Sequence, residues 1–581
     1  MNGRVMSSTE KADLLITGAR VRAAAPAGTA GPSGGRGQGG GADAVAVRAG
    51  RIAAVGRAAE LAELVGQGTR VVDAAGGVLL PGFQDSHVHA PFAGRNRLRL
   101  WLNDLSGRQA YLDAIAAYAR SRPDEPWIVG GGWAMEYFPG GTPRREDLDA
   151  IVPDRPVFIF NRDVHGAWVN SRALELAGIT RDTPDPADGR IERDPVTGEP
   201  SGTLHEGVAY RVNEDVVPEP TRDEWEAAIL DAQGYLHGLG ITGWQDAWVT
   251  PQTQAAYEVL AADGRLTARV VGALWWERTR GLEQIPELLA RREQALRVTA
   301  PHAAIGSGFH PTTVKIMTDG VLENHTGALF EPYCEGCGGH DGPTTRAGDG
   351  GNRGLTYIEA ELLAAALTEL DAQGMQVHMH AIGDRAVHNA LNAVAAARAA
   401  NGPADLRHHI AHLQVVRPDD IPRFAPLGVV ANCQAYWAQH EPQMDELTMP
   451  FLGPERAGWQ YPFASLLRAG TRLAMGSDWA VTTADPLEQI EVAVTRVDPE
   501  NRGNRPFLPQ ERLSIDEAFD AFTAGSAFVN HDEQGGRIEV GARADLVLLD
   551  TDVFAPGAGP IADAGVRLTV AAGTVVHEAE R

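Results

Sequence analysis

The sequence predicts an α/β protein built on a (β/α)₈ barrel, with a long insertion after the first barrel strand and a small β-sandwich assembled from both termini. Three observations predict it. Eight apolar, often β-branched runs occupy the middle of the chain, most of them separated by helix-like segments. Both ends alternate short apolar runs with turns, the pattern of a separate strand-rich unit. Four of the eight runs finish in histidine or aspartate, and a barrel gathers its strand ends on one rim.

In chain order, Asp13-Leu-Leu-Ile-Thr-Gly18 and Ala44-Val-Ala-Val-Arg-Ala-Gly-Arg-Ile-Ala-Ala-Val55 read as strands with turns. Between them, residues 24–42 are almost all Ala, Gly, Pro and Ser, a low-complexity loop with little to bury. The eight runs are Gly77–Asp85, Ile241–Asp246, Ala268–Trp275, Thr312–Thr318, Met375–His380, Arg407–His412, Gly428–Cys433 and Arg472–Ser477. Ile358–Gln373, Asp384–Ala400 and Asp419–Leu427 read as helices between them. An open doubly wound sheet is the alternative, but no Gly-rich phosphate loop follows the first run. Residues 100–225 break the rhythm, with strands at Trp127 and Val157 and a helix at Ser171–Ala177. An insertion there would sit over the catalytic face. Two C-terminal segments, Gly536–Asp550 and Val566–Val576, return to short antiparallel strands. The expected division is therefore 1–76 and 531–581 for the sandwich and 77–530 for the barrel.

Composition narrows the function classes. With 44 % hydrophobic and 22 % charged residues the chain is ordinary for a soluble globular protein, and no run of about 18 apolar residues suggests a membrane span. The formal net charge of −25 repels phosphate backbones and argues against nucleic acid. Three cysteines are no disulfide framework, and the N-terminus lacks a secretory pattern, so a cytoplasmic setting is expected. Cys334-Glu-Gly-Cys337-Gly-Gly-His340 has a zinc-clip spacing, but a structural site needs four ligands and only three are close. It reads instead as a Gly-rich loop over the active site.

The chemistry lies at the strand ends. His87 and His89 are two apart, so on a strand they share a face and could grip one cation. Taken alone such a pair is weak. However, His380 ends the fifth run, His412 the sixth, and Asp478 follows the eighth. Core packing does not explain four such strand ends together. Lys315, in the fourth run, would be buried and costly as a free ammonium, so it makes sense as a modified anion or held neutral.

These residues sit in Pro81-Gly-Phe-Gln-Asp-Ser-His87-Val-His89, Val314-Lys-Ile-Met-Thr-Asp-Gly320, His380-Ala-Ile-Gly-Asp-Arg-Ala-Val387, His409-Ile-Ala-His-Leu-Gln414 and Gly476-Ser-Asp-Trp479. Further motifs are Asp163-Val-His-Gly-Ala-Trp-Val-Asn-Ser171 and Gly541-Ala-Arg-Ala-Asp545. As a set they resemble the amidohydrolase superfamily, specifically the amidohydrolase-3 group that includes N-substituted formamide deformylases. The resemblance spans residue 13 to the C-terminus, less the Gly-rich loop.

It implies that His87, His89 and Asp478 bind one divalent metal, zinc first, and that His380 and His412 bind a second or assist a single one. Lys315 stands where relatives carry an N6-carboxylated, metal-bridging lysine. The implied activity is hydrolysis of a non-peptide carbon–nitrogen bond, amide or formamide, by water activated on the metal. Asp478 would serve as general base, with His412 and His165 as further catalytic candidates. Two departures stand out: Ala411 where many relatives have Glu, and Ala480 where Pro is common. Trp133, Asp319, Gln434 and Trp437 are the substrate-binding candidates. The expected partner is a small molecule, with an apolar or aromatic N-acyl or N-formyl amine as the first guess; a homodimer stays open. A lactone or ester hydrolase, a metal-dependent isomerase, or a non-catalytic binding protein on this fold are the competing readings.

Overall fold

The computed structural model describes residues 10–22, 41–299, 306–334 and 351–580. The loop read at 24–42 lies almost wholly outside the described residues, as do Cys337 and His340.

All eight middle runs become parallel strands of one sheet: β1 (Phe83–Val88), β2 (Ile241–Val249), β3 (Arg269–Trp275), β4 (Gly308–Met317), β5 (Gln376–Ala381), β6 (His409–His412), β7 (Val430–Cys433) and β8 (Leu473–Met475). Each pairs with its sequence neighbour from β1 to β8. The sheet curls until β8 meets β1. Asp478 N donates to His87 O at 2.7 Å, and His89 N donates to Trp479 O at 2.7 Å. Ser477 Oγ and N and the His87 N all donate to the buried Asp85 carboxylate, which rivets the seam. Between the strands lie helices such as Pro251–Ala262, Ala360–Ala372 and Asp384–Asn401, whose apolar faces share the main core with the strands' outer side chains. The expected helix at 419–427 is reduced to two short turns, Ile421–Arg423 and Phe424–Leu427, stopped by Gly428 at φ 69°.

The first run serves two sheets rather than one. Val78–Pro81 belongs to a five-stranded sheet with Arg20–Val21, Leu546–Leu549, Val566–Ala571 and Thr574–Glu578; after Gly82 the chain enters β1. A Cβ at Gly82 would stand 2.5 Å from Thr242, so only glycine allows the passage. A second sheet, Arg51–Gly56, Ala44–Arg48, Leu14–Thr17 and Arg70–Asp73, closes on the first over Leu14, Ile16, Val45, Val47, Leu79, Leu546, Leu548 and Leu568. Of the segment 536–550, only its last part is strand.

Between β1 and β2 the chain forms a six-stranded sheet ordered Gly189–Arg193, Pro200–Glu206, Gly166–Val169, Val157–Asn161, Ile128–Trp133 and Leu100–Trp101. Val157 and Ile159 enter one apolar cluster of this sheet, while Phe158 and Phe160 enter another. Strand alternation buries both faces, and two of its strand ends reach the barrel mouth. No helix among the described residues is long and apolar enough to cross a membrane.

Candidate metal centre and substrate pocket

Strand periodicity sets the first pair. His87 and His89 both turn Nε2 toward Asp478, at 3.3 and 3.1 Å from Oδ1. Ligand atoms of these three residues all lie within 4.8 Å of one another. His380 and His412 stand beside them with ring centroids 4.6 Å apart, and His412 is 4.7 Å from His87. Lys315 lines the same cavity. Asp478 and His412 hold positive φ, 57° and 77°, a conformation costing roughly 1–3 kcal/mol each that the surroundings must impose.

The donor set fits a divalent cation. Burial pushes the pKa of His87, His380 and His412 well below the ordinary imidazole value, so these rings are neutral and offer lone pairs. Burial alone would raise the pKa of Asp478, but the His89 hydrogen bond and the electrostatic pull of the neighbouring imidazoles and Lys315 outweigh it and keep the carboxyl below the usual range. Three buried atoms of the group, His89 Nδ1, His412 Nδ1 and Asp478 Oδ1, lack a well-aligned hydrogen bond.

Deeper contacts set the tautomers. Gln245 Oε1 accepts from His378 Nδ1 (2.6 Å) and from His409 Nε2 (2.9 Å), so His378 Nε2 must accept from His87 Nδ1 at 2.9 Å. His87 Nε2 is then left as a lone pair facing Asp478. Asp319 accepts from Ala328, Ile382 and Gly383 backbone N–H groups and lies 3.2 Å from His380 Nδ1. That contact turns His380 Nε2 away from Asp319, the arrangement that orients metal-binding imidazoles. Lys315 is 1 % exposed and its pKa is pushed down to about 7 by burial, against the pull of Asp478.

The insertion supplies His165 and a partner that no sequence motif singles out. His165 Nδ1 is 2.9 Å from Glu206 Oε2, and Thr326 Oγ1 donates to Glu206 Oε1 at 2.7 Å. Burial opposes protonation of His165, but the Glu206 charge and hydrogen bond win and lift its pKa to about 9. Its ring centroid is 5.6 Å from that of His380.

The cavity brings together His87, His89, His165, Lys315, His380, His412, Trp437 and Asp478 from the sequence candidates. Trp437 stacks on His412 at 5.1 Å and 2°. The other candidates stand outside its lining. Trp133 is fully buried in the insertion's core, its Nε1 donating to Ile159 O at 2.9 Å. Asp319 and Gln434 are likewise buried, and Gln434 Oε1 accepts from His412 N at 2.7 Å. Each of these two therefore touches a candidate ligand residue rather than the open space. Sequence reading missed Glu206, His378, Arg278, Tyr210, Phe92, Trp248 and Trp275, of which all but His378 and Glu206 line the pocket. His378 had a signal, since Gln376-Val-His-Met-His380 repeats the two-residue spacing of the first pair. Arg278 follows β3 in a stretch with no pattern.

Known proteins resemble this chain along most of its length. The family model described as "Amidohydrolase family" matches residues 70–577. Protein LONG AFTER FAR-RED 3 of Arabidopsis thaliana is 32 % identical, over 88 % of this chain and 84 % of its own. The N-substituted formamide deformylase of Arthrobacter pascens is 26 % identical, over 98 % of this chain and 99 % of its own. Among solved structures, an uncharacterized metal-dependent hydrolase from Pyrococcus furiosus superposes with a TM-score of 0.66 at 26 % identity, covering 93 % of this chain and 99 % of that one.

Proposed function

From the premise that this chain belongs to the amidohydrolase family, we propose that it is a metal-dependent hydrolase of a non-peptide carbon–nitrogen bond, an amide or formamide. The observation that carries the reading is the convergence of two imidazoles, His87 and His89, on the ionised, incompletely hydrogen-bonded carboxylate of Asp478, with His380, His412 and Lys315 in the same cavity. His87, His89 and Asp478 would hold a divalent cation, zinc first. His380 and His412 would hold a second ion or complete the shell of the first. A cation held there supplies Lewis acidity to a carbonyl oxygen and acidifies water.

The chain's own groups do the rest. Asp478, kept ionised, takes a proton from the attacking water and returns it to the leaving nitrogen. His165, held cationic by Glu206, donates a hydrogen bond to the substrate's carbonyl oxygen as charge develops on it. Trp437 covers one face of His412 and limits how water reaches it. Lys315, neutral in part near pH 7, is the form of amine that takes up carbon dioxide, and we read it as the N6-carboxylated residue of the site.

The test is elemental analysis of the purified protein, followed by chelation and re-addition of zinc, with turnover followed on formamides, N-acyl amines and lactones. Stoichiometric metal and metal-restored amide or formamide hydrolysis are expected. Full activity after complete metal removal, or lactone turnover alone, would overturn the reading. Native mass spectrometry checks for a carbon dioxide adduct on Lys315 that acid releases.

A further inference from the structure

Arg278 stands on the rim just past β3 and lines the same cavity as the histidine cluster. Its side chain is only 14 % exposed. Two tyrosine rings flank it: the guanidinium carbon is 4.5 Å from the ring centroid of Tyr357 and 5.2 Å from that of Tyr210. A guanidinium offers five N–H donors in a rigid fork. Among the described residues this one has a single ion contact, 3.4 Å to Asp188 Oδ2, and no hydrogen bond. Asp188 is already engaged, accepting from Arg211 Nη1 at 3.0 and 3.1 Å through both of its oxygens.

The fork is therefore unspent on protein acceptors, and its nitrogens keep some exposure where they border the space a substrate would enter. Burial lowers the guanidinium's pKa, but Tyr357, Tyr210, Asp188 and Glu206 together more than reverse that, so the group stays charged. Tyr210 lies between the two groups, 5.2 Å from the Arg278 guanidinium carbon and 6.5 Å from the His165 ring, which puts the guanidinium on the His165 side of the pocket. Between this point and the metal ligands the walls are aromatic, with Trp248 and Trp275 in tilted contact at 5.6 Å.

We propose that Arg278 is the residue that sets substrate charge: it grips a carboxylate on the substrate through its fork, while the scissile amide lies at the histidine cluster and an apolar group fills the aromatic wall. The substrate class is then an N-formyl or N-acyl amino acid or a similar carboxylate-bearing amide. This rests on the hydrolase reading above. A carboxylate matches the planar fork with two parallel hydrogen bonds, the strongest pairing available to this side chain. Asp163, Glu214 and Glu277 also border the pocket, and their charge would favour an ammonium-bearing substrate instead. Asp163 is engaged by the His165 backbone N–H, which donates to its Oδ1 at 2.8 Å, and Glu214 and Glu277 are exposed, where water weakens their pull, whereas the Arg278 side chain is mostly buried.

The experiment compares a matched series on the zinc-loaded enzyme: N-formyl- and N-acetylphenylalanine in both enantiomers, their primary amides, and the analogues with an aminomethyl group in place of the carboxylate. Separately, calorimetry measures binding of 3-phenylpropionate against 3-phenylpropanamide, which needs no turnover. We expect kcat/KM for the carboxylate members to exceed that of their primary amides by about 10-fold or more, and the same order in the binding pair. In Arg278→Met both ratios collapse toward one, and Arg278→Lys keeps part of them; circular dichroism and Tm check that each variant folds. Equal or better turnover of the neutral or aminomethyl members, or ratios untouched in Arg278→Met, would overturn the assignment while leaving the hydrolase intact. If no amide is hydrolysed at all, the hydrolase reading fails, and the calorimetric pair still decides whether Arg278 holds a carboxylate.

Discussion

His380 and His412 border the cavity at the barrel mouth, whereas His378 and His409 lie deeper on the same two strands and differ in what surrounds their rings. The deep pair is tied into a layer of amides. Gln245 accepts from both rings and donates to Asn530 Oδ1 at 3.2 Å, while Gln376 donates to Arg407 O and Val529 O, each at 2.8 Å. Around the mouth, by contrast, His89 Nδ1, His412 Nδ1 and Asp478 Oδ1 are buried without a well-aligned hydrogen bond. Identical side chains thus belong to two classes. The deep ones rigidify a barrel floor, and the outer ones keep ligand capacity unspent at a cost in stability. Counting histidines would not separate them; a buried ring nitrogen without a protein partner marks His89 and His412 at the mouth, while His380 spends its Nδ1 on Asp319.

The largest effect that could break this contrast is at the mouth. Asp478→Asn removes the anion on which two imidazoles converge and the proposed proton carrier. Turnover should fall by roughly 10³-fold or more. Bound metal measured by elemental analysis should fall with it, while the denaturant midpoint without metal stays close to that of the parent. A variant that loses its fold but not its metal would place Asp478 with the deep layer instead.

The deep layer should declare itself in acid. Burial pushes the pKa of His409 down to about 3, against an ordinary value of 6.5. Its unfolded form therefore binds a proton below about pH 6.5 that the folded form refuses. Stability from this residue is fully present above that pH and is lost as pH falls toward 3, because the unfolded state then holds more protons. Between these limits one such group contributes a slope of about 1.4 kcal/mol per pH unit. His409→Leu should shallow the acid limb of unfolding, followed by denaturant titration at pH 4 to 6, although it also lowers stability at pH 7 by about 1–3 kcal/mol by stripping a partner from Gln245. An acid limb of unchanged steepness would mean that His409 is not held neutral.

The same contrast explains what was legible in the sequence. The barrel strands and the residues at their ends could be read because period-two alternation and position on the rim are local properties of the chain. Glu206 and Arg278 could not. One reaches the mouth from an inserted sheet and the other from an irregular loop, so their meeting with His165 and the cavity is purely tertiary. Gln434 stands just past the predicted strand end, yet its side-chain carbonyl faces the barrel wall rather than the pocket and satisfies the His412 backbone N–H, which the positive φ at His412 leaves in need of a partner.

Trp133 provides the smallest and most discriminating test of that boundary. Tryptophan at a strand end near the mouth reads as a ligand wall, yet this one ends a strand of the inserted sheet and turns inward. It meets Phe138 edge-on at 5.6 Å and Trp168 at 6.4 Å, and its indole N–H is used by Ile159 O. Phenylalanine in its place keeps the aromatic contacts but loses that hydrogen bond and leaves a small void. Trp133→Phe should therefore cost about 1–2 kcal/mol in stability. KM for any turned-over substrate should stay within about two-fold, well under the tenfold that a loss of about 1.4 kcal/mol in binding would give. A clear rise in KM with unchanged stability would return Trp133 to the pocket. It would also show that the insertion repacks toward the cavity when substrate is bound.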